Sequence, residues 1–102
     1  MNQLKPLEDR LLVEAEAELS ESGIALPEGV RRESYRVGTI LDIGESVSLG
    51  GVMQENRKEW LVGKKIIFER YGPLHLKQFN ERFFMVRQQY IIGIIEEEQK
   101  ND

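Results

Sequence analysis

The sequence predicts an all-β domain, a small closed or nearly closed β-barrel interrupted by one long loop and one hairpin. Three observations predict it. Short apolar runs rich in Val, Ile and Phe recur between turn signals. Several of these runs alternate only in part, as strands covered on both faces do. No stretch of a dozen residues carries the 3.6-residue period of an amphipathic helix.

Six strands are expected, at residues 10–13, 37–43, 65–69, 74–77, 82–87 and 91–95. The first is the run Arg10-Leu11-Leu12-Val13. The following EAEAEL stretch, residues 14–19, has helical propensity but too few apolar positions to hold a short helix in water, so it is read as loop. That loop extends over residues 14–35, longer than a compact domain usually leaves without structure, and long loops of this kind tend to be functional. It holds one apolar island, Ile24-Ala25-Leu26, between Gly23 and Pro27. After the second strand, residues 44–60 read as a β-hairpin turning at Gly50-Gly51, with Trp60 as a core anchor at its base. Ile66-Ile67-Phe68 marks the third strand, and the Tyr71-Gly72-Pro73 turn separates it from the fourth, which carries the sole histidine, His75. The last strand, Ile91-Ile92-Gly93-Ile94-Ile95, is so apolar that its edge is an aggregation hazard unless another chain or strand covers it.

Length and composition suit one soluble domain spanning residues 1–102. Of the 102 residues 40% are apolar and 31% charged, and the longest aliphatic patch is far too short to span a bilayer. With no recognisable leader in the first ten residues and no cysteine, a reducing, cytoplasmic setting is expected. The net charge of −4 sits entirely within residues 14–34, which hold six glutamates and two arginines. The rest of the chain is balanced, so it has no basic face of the kind that neutralises nucleic-acid phosphates.

Catalytic patterns are not found. His75 has no His or Cys partner for a metal, no serine lies in a nucleophile elbow, and neither Gly50-Gly51 nor Gly63-Lys64-Lys65 completes a phosphate-binding loop. No enzymatic activity, metal or bound cofactor is expected.

An ordered set of motifs narrows the reading. Lys5-Pro6-Leu7-Glu8-Asp9-Arg10-Leu11-Leu12-Val13 is followed by Ser22-Gly23-Ile24-Ala25-Leu26-Pro27 and Arg36-Val37-Gly38-Thr39-Ile40-Leu41-Asp42-Ile43-Gly44. Then come Val62-Gly63-Lys64-Lys65-Ile66-Ile67-Phe68, Tyr71-Gly72 and Ile91-Ile92-Gly93-Ile94-Ile95-Glu96. This set resembles the GroES-type co-chaperonin family over nearly the whole chain. Ser22, Ala25, Lys64 and Tyr90 depart from the family's usual Gly, Val, Asp and Asp.

The resemblance implies a GroES-like barrel whose residues 14–35 are a mobile chaperonin-binding loop and whose residues 44–60 are a roof hairpin. It assigns docking on a large GroEL-type chaperonin ring to Gly23, Ile24, Ala25 and Leu26. It implies a homoheptamer joined through Leu7, Leu11, Ile91, Ile92 and Ile94, and a Tyr71 that faces unfolded client proteins in the enclosed cavity. ATP would be bound by the partner chaperonin, with no nucleic acid or membrane involved. From the residues alone, Ile24 and Leu26 could equally fold back on the barrel as a loop anchor, the last strand could be internal to a monomer, and Tyr71 could be a plain turn residue. A different class also stays open: an OB-like or SH3-like module that binds peptide or nucleic acid.

Overall fold

In a computed structural model of the chain, residues 4–17, 34–49 and 57–96 are described. They form one six-stranded antiparallel sheet: β1 (Arg10–Ala15), β2 (Tyr35–Ile43), β3 (Lys65–Glu69), β4 (Leu74–His75), β5 (Phe83–Arg87) and β6 (Ile91–Ile95). All six expected strands are present. The spatial order is β4-β5-β1-β2-β3-β6, so the first two strands lie at the centre and β4 and β6 at the edges.

The sheet is strongly curled. β3 and β5 are three strands apart, about 14 Å in a flat sheet, yet the rings of Phe68 and Phe84 meet with centroids 5.8 Å apart. Register shifts at Leu12/Val13 and Ile67/Phe68 insert bulges that bend the strands. Gly38, on β2 between them, leaves the floor of the concave face bare. A Cβ there would stand 2.5 Å from Val13 Cγ1 and 3.1 Å from Phe68 Cε1. Leu11, Val13, Ile40, Ile66, Phe68, Phe84 and Val86 fill the hollow of the curl, with Val47 and Leu61 closing it from the connections. Among the described residues no ladder joins β4 to β6, so strand pairing between them does not close the curl into the expected barrel.

Of the expected hairpin over residues 44–60, the turn at Gly50-Gly51 lies outside the described residues and only its flanks are seen. Residues 44–49 hold turns, and α1 (Arg57–Leu61) is a single turn of helix; residues 50–56 lie outside the described set. Leu61, wholly buried, anchors that turn, and Gly63 ends it at φ +95. Trp60, expected in the core, is 39% exposed and lies under the Lys64 ammonium, 5.1 Å from its ring centroid. One residue apart on a helix is a turn of 100°, so burying Leu61 rotates Trp60 outward.

Candidate functional site

The tripeptide Ile24-Ala25-Leu26 and Gly23 lie outside the described residues, but both roots of their loop are well defined. β1 and β2 are hydrogen-bonded neighbours, paired from Leu11↔Ile43 to Ala15↔Gly38. Beyond the ladder, Glu16 N–H donates to the Val37 carbonyl at 2.8 Å and Arg36 Nη2 donates to the Glu16 carbonyl at 3.1 Å. On the returning side, Arg70 N–H donates to the Ser34 carbonyl at 2.9 Å and Arg70 Nη2 to the Tyr35 carbonyl at 3.3 Å. Lys65 Nζ pairs with Glu16 Oε2 at 3.0 Å, a surface contact worth little by itself. The loop therefore leaves and returns side by side, at one end of the two central strands.

Tyr71 stands on the bend between β3 and β4 and is 72% exposed. Two features hold that bend. Gly72 adopts φ +116, where side chains are strained. The ring of Tyr90 also lies against it so closely that a Cβ on Gly72 would be 2.7 Å from Tyr90 Cε1. Below the bend, the His75 imidazole stacks on Phe84 at 4.4 Å and its Nε2 lies 2.7 Å from the Glu81 carbonyl. His75 is thus a stacked ring that stays exposed on its other side.

The residues expected at a subunit contact divide into two groups. Leu11 is wholly buried in its own core, because β1 is flanked by β2 and β5 and turns Leu11 into the curl. It offers a neighbour neither side chain nor free backbone edge. Ile91 and Ile94 are half-buried against the same core. Ile92 is 38% exposed and Leu7 is 55% exposed. Among the described residues β6 pairs only with β3, and none of them covers its far edge. Leu7 is held outward by its surroundings: Pro6 is fully buried, Leu7 carbonyl accepts from Arg10 N–H, and Glu8, at φ 61, accepts from Ser46 N–H.

Charge chemistry is sparse. Among the described residues no three His, Cys, Asp or Glu side chains gather as a metal site. Glu45 has its carboxyl held below its ordinary value, first by the hydrogen bond from its own backbone N–H and next by a backbone hydrogen bond from Glu8. An open hollow of about 480 Å³ beside α1 is lined by Leu41, Asp42, Lys58, Glu59 and Val62, and the Lys58–Asp42 ion pair crosses it at 3.2 Å. Nothing in it resembles a reaction centre.

The sequence profile of the family described as "Chaperonin 10 Kd subunit" matches residues 3–95. The chain belongs to the chaperonin 10 kDa subunit family. Proteins named Co-chaperonin GroES are its relatives. That of Clostridium novyi (strain NT) is 35% identical over 96 residues, covering 91% of this chain and 98% of the relative. That of Clostridioides difficile (strain 630) is 33% identical, with the same coverage. That of Rhodothermus marinus is 32% identical, covering 93% of this chain and 94% of the relative. As a chaperonin 10 subunit the chain is a co-chaperone, with a part in protein folding. Among its described residues no helix is long and apolar enough to cross a membrane.

Sequence reasoning missed two contacts in this chaperonin 10 chain: Tyr90 against Gly72, and Lys64 over Trp60. A signal existed for both, since Tyr90 and Lys64 are departures from the family's usual residues. Their partners lie elsewhere in the chain, and only the folded geometry identifies them.

Proposed function

We propose that seven copies of this chaperonin 10 subunit form a ring that caps a large ATP-dependent chaperonin, each copy gripping it through Gly23, Ile24, Ala25 and Leu26. The observation that carries this reading is the root geometry: the loop bearing the only apolar island of an acidic segment springs from two adjacent, doubly pinned central strands. Burying Ile24 and Leu26 on a partner contributes about 1.5–3 kcal/mol each, and immobilising the loop takes part of that back. One contact is weak; seven on one rigid ring become mutually intramolecular and hold firmly, yet let go together.

The ring contact follows from the free edges. β1 has both neighbours in its own chain, so the segment able to pair with β6 of a neighbouring copy is residues 4–7, ahead of β1. In this ring Tyr71 faces the enclosed space and meets unfolded client chains. ATP is bound and hydrolysed by the chaperonin partner, and the cap itself needs no cofactor, nucleic acid or membrane. Its setting is the cytoplasm.

The test is co-migration with a purified large chaperonin ring in ATP, in ADP and without nucleotide. Nucleotide-dependent capture is expected for the wild-type chain and should be lost in an Ile24→Ser, Leu26→Ser variant that still forms its own ring. Equal capture of both would refute the assignment.

A further inference from the structure

Four of the five described glycines have a reason inside the chain. A Cβ on Gly38 or Gly44 would collide with neighbouring atoms, and Gly63 and Gly72 have positive φ. Gly93 has neither reason. Its φ lies outside the left-handed region, and a Cβ built on it would find nothing within 4 Å. Yet it interrupts an otherwise all-isoleucine strand, where glycine weakens the element and where one commonly marks the close approach of another backbone.

Its position gives the gap a shape. Gly93 is opposite Ile67 in the β3–β6 ladder, on the face that carries Ile67, Val37, Tyr35 and Ile95 rather than on the core face of Ile94 and Ile91. The missing side chain therefore leaves open space beside that apolar face, on a strand whose far edge no described residue covers. The chain's own end does not suit it, since residues 97–102 are Glu, Glu, Gln, Lys, Asn and Asp. A better occupant is the outward-held Leu7, on the same residues 4–7 that pair with no strand among the described residues.

We propose that Gly93 is the socket of the subunit contact and that Leu7 of a second copy fills it. This rests on the head-to-tail ring reading and adds to it the residue that sets how closely two copies approach. Socket and knob sit on one chain, so each copy gives one and receives one, and the contact repeats around a closed ring.

Native mass spectrometry and sedimentation of the full chain across a dilution series test it, with Gly93→Val, Leu7→Ala and the double variant. At a dilution where both chains are monomeric, Gly93→Val should keep the β spectrum and a melting temperature no lower than wild type, because valine suits a strand and has room in the isolated subunit. Its ring should fall apart at a subunit concentration about tenfold higher or more, the effect expected of overfilling a packed contact. Leu7→Ala should weaken the ring similarly, and the double variant should recover part of the loss, the valine occupying space that leucine vacates. A Gly93→Val ring as dilution-resistant as wild type, or losses that simply multiply in the double variant, would overturn the socket while leaving the ring reading intact. A wild-type chain that is monomeric at every concentration would overturn both.

Discussion

Replacing Gly72 with alanine should be among the most damaging single-methyl changes available in this chain, and its cost can be divided in advance. The backbone at φ +116 charges a non-glycine residue about 1–3 kcal/mol. The added methyl would also sit 2.7 and 2.8 Å from two carbons of the Tyr90 ring, which is itself packed against the core and has little freedom to swing away. Overpacking of that kind costs about 1–3 kcal/mol more. The sum, about 2–6 kcal/mol, is a large share of the roughly 5–15 kcal/mol that holds a typical domain together. Urea unfolding followed by far-UV circular dichroism, at one fixed subunit concentration because assembly adds to apparent stability, measures it. The same substitution in a Tyr90→Ala background should cost less, since only the backbone part remains. A loss under about 0.5 kcal/mol would refute the backbone argument. An equal loss in both backgrounds would show that the Tyr90 ring plays no part in holding the bend beneath Tyr71.

Other outcomes follow from packing and charge. Phe84 sits between the Phe68 ring, the stacked His75 and the Arg36 guanidinium 5.0 Å above it; Phe84→Ala should cost about 3–5 kcal/mol, whereas Phe79→Ala, at a residue 48% exposed, should stay within about 0.5 kcal/mol in the same urea experiment. Glu45, whose carboxyl is stabilised as the anion by backbone N–H groups, should titrate below its ordinary value when its carboxyl carbon is followed by NMR. Because the folded state holds fewer protons there, its contribution to stability is present above the ordinary glutamate value and is lost as pH falls through the lowered one. A Glu45→Gln variant should therefore lack that segment of acid sensitivity, and an unshifted carboxyl titration would remove the argument.

What the sequence made legible follows the range of the forces involved. Strand existence is local, written in runs such as Ile66-Ile67-Phe68, and all six runs became strands. β1 reaches further than expected, to Ala15, because it pairs with Gly38 of β2, and β2 starts earlier, at Tyr35, because it pairs with Glu69 of β3; no local pattern records either partner. The turn of helix at Arg57–Leu61 is too short to show periodicity, and it decides that Leu61, not Trp60, enters the core. The resemblance implies a subunit contact at Leu11 through the first strand; that β1 lies mid-sheet depends on β5 returning to its side some seventy residues later. The role of the tripeptide Ile24-Ala25-Leu26 was implied by the family resemblance and falls outside the described residues, whereas the open space at Gly93 shows only in the folded geometry.

The side-by-side rooting of the long loop has a mechanical meaning. A pull on the loop runs lengthwise down β1 and β2 at once, and the rungs that join these strands to β5 and β3 lie crosswise to it. Such tension slides whole ladders, with every rung resisting together, instead of peeling them open from an edge. Traction on the loop is thus met along the sheet's stiffest direction.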